Sequence, residues 1–138
     1  MIVGVKFGVR DQEYFIDFEI SRLYTEVNDK VVSLEGKNEE ESYKLQEEIL
    51  TVREAIEEFK EYIIENDRYE KYNPLIIELG IRVDNSQQIV LNRVIEAINK
   101  AKEVNNVEAI NKAKLSIPEN MPDIWKVNFE KEINNIGI

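Results

Sequence analysis

The sequence predicts an α+β fold: an antiparallel sheet built on an N-terminal β-hairpin and packed against two or three amphipathic helices. Three observations predict it. Apolar and polar residues alternate in two runs near the start, 3–9 and 14–20. A third alternating run occupies 75–83. Between them, Leu45, Ile49, Val52, Ile56, Phe59 and Ile63 recur in steps of four and three, the heptad seam of an α-helix.

Val3, Val5, Phe7 and Val9 alternate with Gly4, Lys6, Gly8 and Arg10, and Tyr14, Ile16, Phe18 and Ile20 alternate with Phe15, Asp17 and Glu19. A turn at Asp11-Gln12 pairs the two runs so that one face is wholly apolar, with Phe7, Ile16 and Phe18 in the core. Residues 21–34 fit two readings. As strands they turn at Asn28-Asp29; as a helix they stack Leu23, Val27 and Val31 at four-residue spacing. The β-branched pair Val31-Val32 favours strands.

Asn38, with Glu41 three residues on, has the form of a capping box and starts a helix near Glu39 that runs to Glu65. Asn66, Asp67, Asn73 and Pro74 form a loop, and Leu75, Ile77, Leu79, Ile81 and Val83 follow as a strand. Asp84, with Gln87, caps a second helix carrying Leu91, Val94, Ile95, Ile98 and Ala101. Within it Glu96–Lys102 recurs as Glu108–Lys114, twelve residues on. A continuous helix would rotate the second copy by about 120°, so the helix breaks at Asn105-Asn106. Pro118 and Pro122 bracket a linker. A last amphipathic helix then carries Trp125, Phe129, Ile133 and Ile136. The chain divides into an α+β core domain, 1–117, and a Pro-bounded C-terminal tail, 118–138.

With 138 residues the chain has enough surface to bury for a core without staples. It has no cysteine and no histidine. Zinc sites of the common kind, Cys or His nucleophiles and the usual neutral-pH base are therefore excluded. The net charge of −10 argues against nucleic acid and anionic membrane as partners. No run is long and apolar enough for a signal peptide or a membrane span, so the expected location is the cytoplasm, that of a bacterial host if the protein comes from phage. The Ile, Asn, Lys and Glu bias fits an AT-rich genome.

Residues 35–70 hold thirteen acids and five bases, net −8. The helix there places Glu47, Glu54, Glu58 and Glu61 away from its apolar seam, as a solvated face that can meet a basic partner protein. Carboxylates so exposed lack the burial that tunes a catalytic acid, no glycine pattern cradles a phosphate, and no helical Glu-x-x-His exists. No enzyme, cofactor or metal is expected. The seam residues Ile49, Ile56, Phe59 and Ile63 either pack inside the chain or pair two chains as a coiled coil; Trp125 and Phe129 are the second candidate anchors for self-association, and a homo-oligomer is expected. The expected function is a non-enzymatic, acidic protein-binding module, of the kind of a phage-type inhibitor or immunity protein acting on a basic site. A phage assembly factor such as a tail assembly chaperone is the second reading. A small carboxylate-based hydrolase or ligand-binding domain is the third.

Overall fold

The computed structural model describes residues 9–137, with side chains from Glu13 onward. It consists of five α-helices: α1 Val9–Glu35, α2 Ser42–Glu65, α3 Tyr69–Val104, α4 Val107–Ser116 and α5 Asp123–Asn134. Among the described residues there is no strand, so the expected α+β fold is wrong and the architecture is all-helical. The first three helices run up, down and up. Asp17 meets Lys71 and Glu35 meets Arg82, which sets α1 parallel to α3, while Gln46 meets Gln87 and Arg53 meets Asp84, which sets α2 antiparallel to it.

Helix α1 replaces the second half of the expected hairpin. Ile20 is buried and Ile16 half-buried, but Tyr14 is exposed and Phe18 is 61% exposed, so Phe18 is not core. Val3, Val5 and Phe7, the first strand of that hairpin, lie outside the described residues. The alternation was misleading because Ile16 and Ile20 are also one helical turn apart. They open a longer row, Ile16, Ile20, Leu23, Val27, Val31 and Leu34, all wholly or partly buried. That row of nearly twenty residues outweighs seven alternating ones and the strand preference of Val31-Val32, since packing of an amphipathic face overrides local propensity.

The expected strand 75–83 is likewise helical. Of its alternating residues Leu79 and Val83 are buried, but Ile77 and Ile81 face solvent. The row that packs is Tyr72, Ile76, Leu79, Val83, Gln87, Val90, Val94, Ile98 and Ala101, and its polar member Gln87 conceals the helical period from a hydropathy reading. Pro74 therefore lies inside α3, in its second turn. It forfeits only the N–H that would reach the Glu70 carbonyl. Asp84 is no cap; it sits mid-helix and forms a salt bridge with Arg53 of α2 at 3.0 Å.

The expected helix 39–65 is α2, although the capping box does not form: Glu41 at the N-cap makes no side-chain cap bond, and Asn38 instead accepts from Ser86 at 2.7 Å. Its seam, from Leu45 to Ile63, is buried against α1 and α3, with the Phe59 ring 6.2 Å from that of Tyr24. Helix α2 ends in a Schellman motif: Asp67 takes left-handed backbone (φ 58°), its N–H bonds the Ile64 carbonyl, and Arg68 N–H reaches the Ile63 carbonyl at 2.9 Å.

At 1.5 Å per residue, α3 is about 18 Å longer than α2. Helices α4 and α5 pack on the overhang. The break at Asn105-Asn106 is present: Asn105 closes α3 in left-handed backbone (φ 53°) and Asn106 caps α4, its Oδ1 accepting from Ala109 N–H at 2.8 Å. The two copies of the seven-residue repeat then bury corresponding positions. Ile98 and Ala101 match Ile110 and Ala113, and Ala97 and Ala109 are half-buried in both. Helix α5 docks through Ile133, buried, with Trp125 and Phe129 half-buried against the same core, and Lys102 of α3 bonds Glu132 at 2.5 Å.

Candidate functional site

Helix α2 carries two heptad rows. The first is the buried seam. The second is displaced by two residues, Tyr43, Glu47, Leu50, Glu54, Glu57, Glu61 and Ile64, again in steps of four and three. A shift of two residues is about 200° around a helix, so the second row faces solvent along the whole element. All seven residues are exposed, and Glu58 and Glu65 widen the row. The structure therefore brings the four expected partner-binding residues, Glu47, Glu54, Glu58 and Glu61, onto one continuous exposed face.

Lys44 and Lys60 lie on the same helix, but among the described residues no basic side chain forms a salt bridge with the row. Arg53 turns to Asp84 on α3, and Lys37 pairs with Glu48 on the flank at 3.4 Å. Among the described residues none of Glu47, Glu54, Glu57, Glu58, Glu61 and Glu65 is in an ion pair. Like charges four residues apart, as in Glu54–Glu58, Glu57–Glu61 and Glu61–Glu65, each cost an isolated helix about 0.2–0.5 kcal/mol. Their concentration on a helix whose other face is well packed marks a surface not tuned for stability alone.

Sequence reasoning found the carboxylates and missed Tyr43, Leu50 and Ile64. The signal was available in the second heptad row. The expected self-association residues divide. Ile49, Ile56, Phe59 and Ile63 are buried inside the chain, so a coiled coil through them would have to open the core. Trp125 and Phe129 keep part of their surface but pack on the core cluster.

The face is held in place by polar clamps. Gln46 and Gln87 exchange two hydrogen bonds inside the α2–α3 contact. Arg93 donates to the carbonyls of Asn38 and Glu40 and to the Ser42 hydroxyl, fixing the loop that enters α2. At the other end Asp17 of α1 accepts from Arg68, Lys71 and Tyr72 at 2.9–3.1 Å. Burial pushes the Asp17 carboxyl up, but these three donors outweigh it and hold it below its ordinary value; burial, then the bond to Asp17, raises the Tyr72 phenol.

Among the described residues the buried polar side chains are Gln46, Ser86 and Gln87, and no group of three or more acidic, His or Cys side chains is placed to hold a metal ion. A groove of about 290 Å³ lies between α4 and α5, with the buried Ile133 and the half-buried Ile117 and Lys126 in its lining and the exposed Lys114, Glu119, Glu130 and Asn134 around them. No helix among the described residues is long and apolar enough to cross a membrane. Comparison with protein-family models, with curated proteins and with solved structures finds no match.

Proposed function

We propose that this chain is a non-enzymatic, acidic protein-binding module whose α2 face docks on a basic surface of another protein. One observation carries the reading: six carboxylates free of ion pairs among the described residues share an exposed helix face with Tyr43, Leu50 and Ile64. Carboxylates steer a basic partner in, and the exposed apolar side chains supply the contact that holds it. The carboxylates are exposed to solvent, Glu47 beside a surface hollow shared with Lys37, Glu40, Lys44 and Glu48, and such exposure suits docking better than acid–base chemistry. An inhibitor or immunity-type protein masking a basic site fits this arrangement, as does an assembly factor holding a basic segment, and either role is set in the cytoplasm.

The test compares the wild-type chain with the triple reversal Glu54→Lys, Glu58→Lys and Glu61→Lys as bait in the source cell. A protein captured by the first and not by the second, and released by added salt, supports the reading. Binding that ignores both the reversal and salt rules the face out.

A further inference from the structure

We propose that the exposed face of α2 receives one α-helix of a partner protein, a cationic amphipathic helix with an apolar side chain at every seventh residue. This occupant rests on the reading of the face as a docking surface, proposed above. The outer row of α2 holds two heptad positions. Tyr43, Leu50, Glu57 and Ile64 stand seven apart in one line, and Glu47, Glu54 and Glu61 stand seven apart in the next, about 40° round the helix. The first line is apolar at three of its four places, and the second is wholly acidic.

The period selects a helix. Successive members of the row are about 4.5 or 6.0 Å apart along the axis, about 5.3 Å on average. A strand repeats on one face every ~6.7 Å and falls a full contact out of step within about four. A helix packed by heptads repeats at the spacing of α2 itself. The row also drifts about 60° round α2 over its three heptads, and a second helix wound left-handedly stays on it. The buried seam of α2 has the same period, and the helices α1 and α3 cover it.

Charge selects which helix. The six carboxylates on and beside the row are in no ion pair among the described residues. A second copy set face to face would oppose glutamate to glutamate. The basic stretch 92–115 of a second copy is largely engaged, with Arg93 on the α1–α2 loop, Lys102 on Glu132 and Lys112 on Glu108. Residues 1–8 hold a single charged side chain, Lys6, too few cations to match the row. A foreign helix with Lys or Arg on both flanks of its apolar line meets the acidic positions while that line covers Tyr43, Leu50 and Ile64. Glu57 interrupts the apolar line of α2, so the partner carries a cation opposite it.

Three labelled synthetic peptides of about 24 residues, long enough to span the row, test this against the full chain. The first has leucine at every seventh residue among lysine and alanine, the second is the same composition shuffled to remove the period, and the third is the first with one central proline. Fluorescence anisotropy reads affinity, and circular dichroism reads helix gained on mixing. The heptad peptide should bind about tenfold or more tighter than the other two and gain helix as it binds. Leu50→Gln, at an exposed site, should weaken the heptad peptide by about tenfold and leave the shuffled one unchanged. Glu57→Leu completes the apolar line and should tighten the heptad peptide several-fold, whereas attraction by charge alone weakens when a carboxylate is lost. Weakening by Glu57→Leu overturns the helical occupant. Equal binding of heptad and shuffled peptides, both sensitive to salt and to the triple reversal at Glu54, Glu58 and Glu61, overturns it as well and upholds the docking face. A heptad peptide that does not bind overturns the occupant alone, because capture in the source cell tests the face independently.

Discussion

Gln46 and Gln87 form a closed amide pair in the α2–α3 interface: each Nε2 donates to the other's Oε1, at 3.0 and 2.7 Å, and both side chains are fully buried. A buried amide that loses its partner keeps the cost of its own desolvation, about 1–3 kcal/mol. Gln87→Leu should therefore destabilise the chain by about that amount, while the double change with Gln46→Leu should recover most of it. Urea unfolding of the two singles and the double gives the coupling. Strictly additive losses would show that the pair is not coupled.

Phe59 and Phe18 should respond in opposite ways to truncation. Phe59 is buried among α1, α2 and α3, so Phe59→Ala should cost about 3–5 kcal/mol. Phe18 projects into solvent, and Phe18→Ala should stay within about 0.5 kcal/mol of wild type. Thermal melts of the two variants separate this helical arrangement from a sheet with Phe18 inside.

Stability should fall with acid through two carboxylates. Asp17 is held below its ordinary 3.8 because, although burial raises it, donation from Tyr72, Lys71 and Arg68 outweighs burial. Glu35 is held below 4.5 by the Arg82 hydrogen bond, against a smaller opposing effect of burial. A depressed carboxyl adds stability above its unfolded pKa and loses it as pH falls through the folded value. The contribution is thus level from neutral pH down to that ordinary range and disappears below it. Asp17→Asn should cost about 1–3 kcal/mol at pH 7. The gap should narrow once the wild-type carboxyl protonates. A gap that stays constant across an acid titration of unfolding would show that charge is not its source.

The α3–α4 turn depends on two asparagines with different tasks. Asn106→Ala removes a cap and should cost about 1 kcal/mol. Asn105→Gly should be neutral or stabilising, because glycine adopts left-handed backbone without a Cβ penalty. Paired melts check the contrast. A cost at Asn105→Gly as large as that at Asn106→Ala would mean the Asn105 side chain acts through contacts rather than backbone.

The sequence made α2 and the chain beyond Asp84 readable and misled over α1 and the start of α3. The α2 seam, the break at Asn105-Asn106 and the helix after Pro122 each rest on a local signal: a heptad, a pair of turn-forming residues, a proline start. Helix α1 and the first part of α3, up to Val83, were missed because short rows of alternating apolar residues include members four apart, and runs of seven to nine residues do not separate a period of two from one near 3.6. Gln87 and Ser86, buried in mid-helix, hid the longer period of α3, and Pro74 suggested an end where the helix continues. The acidic face was legible because charge needs no packing to be seen. Tyr43, Leu50 and Ile64 were overlooked because single exposed apolar residues carry no signal until the helix that aligns them is drawn.

The tandem segments 96–102 and 108–114 also suggest how such a bundle can lengthen. A copied stretch of helix normally arrives as a burden, with new apolar side chains and nothing to cover them. Here the copy reverses direction at an asparagine and lies back on its original, so Ile110 and Ala113 enter the same core as Ile98 and Ala101. Each copy brings the complement the other lacks. An insertion of this kind is tolerated at the moment it occurs, before any compensating change elsewhere, and its new outer surface is where a further helix such as α5 can settle.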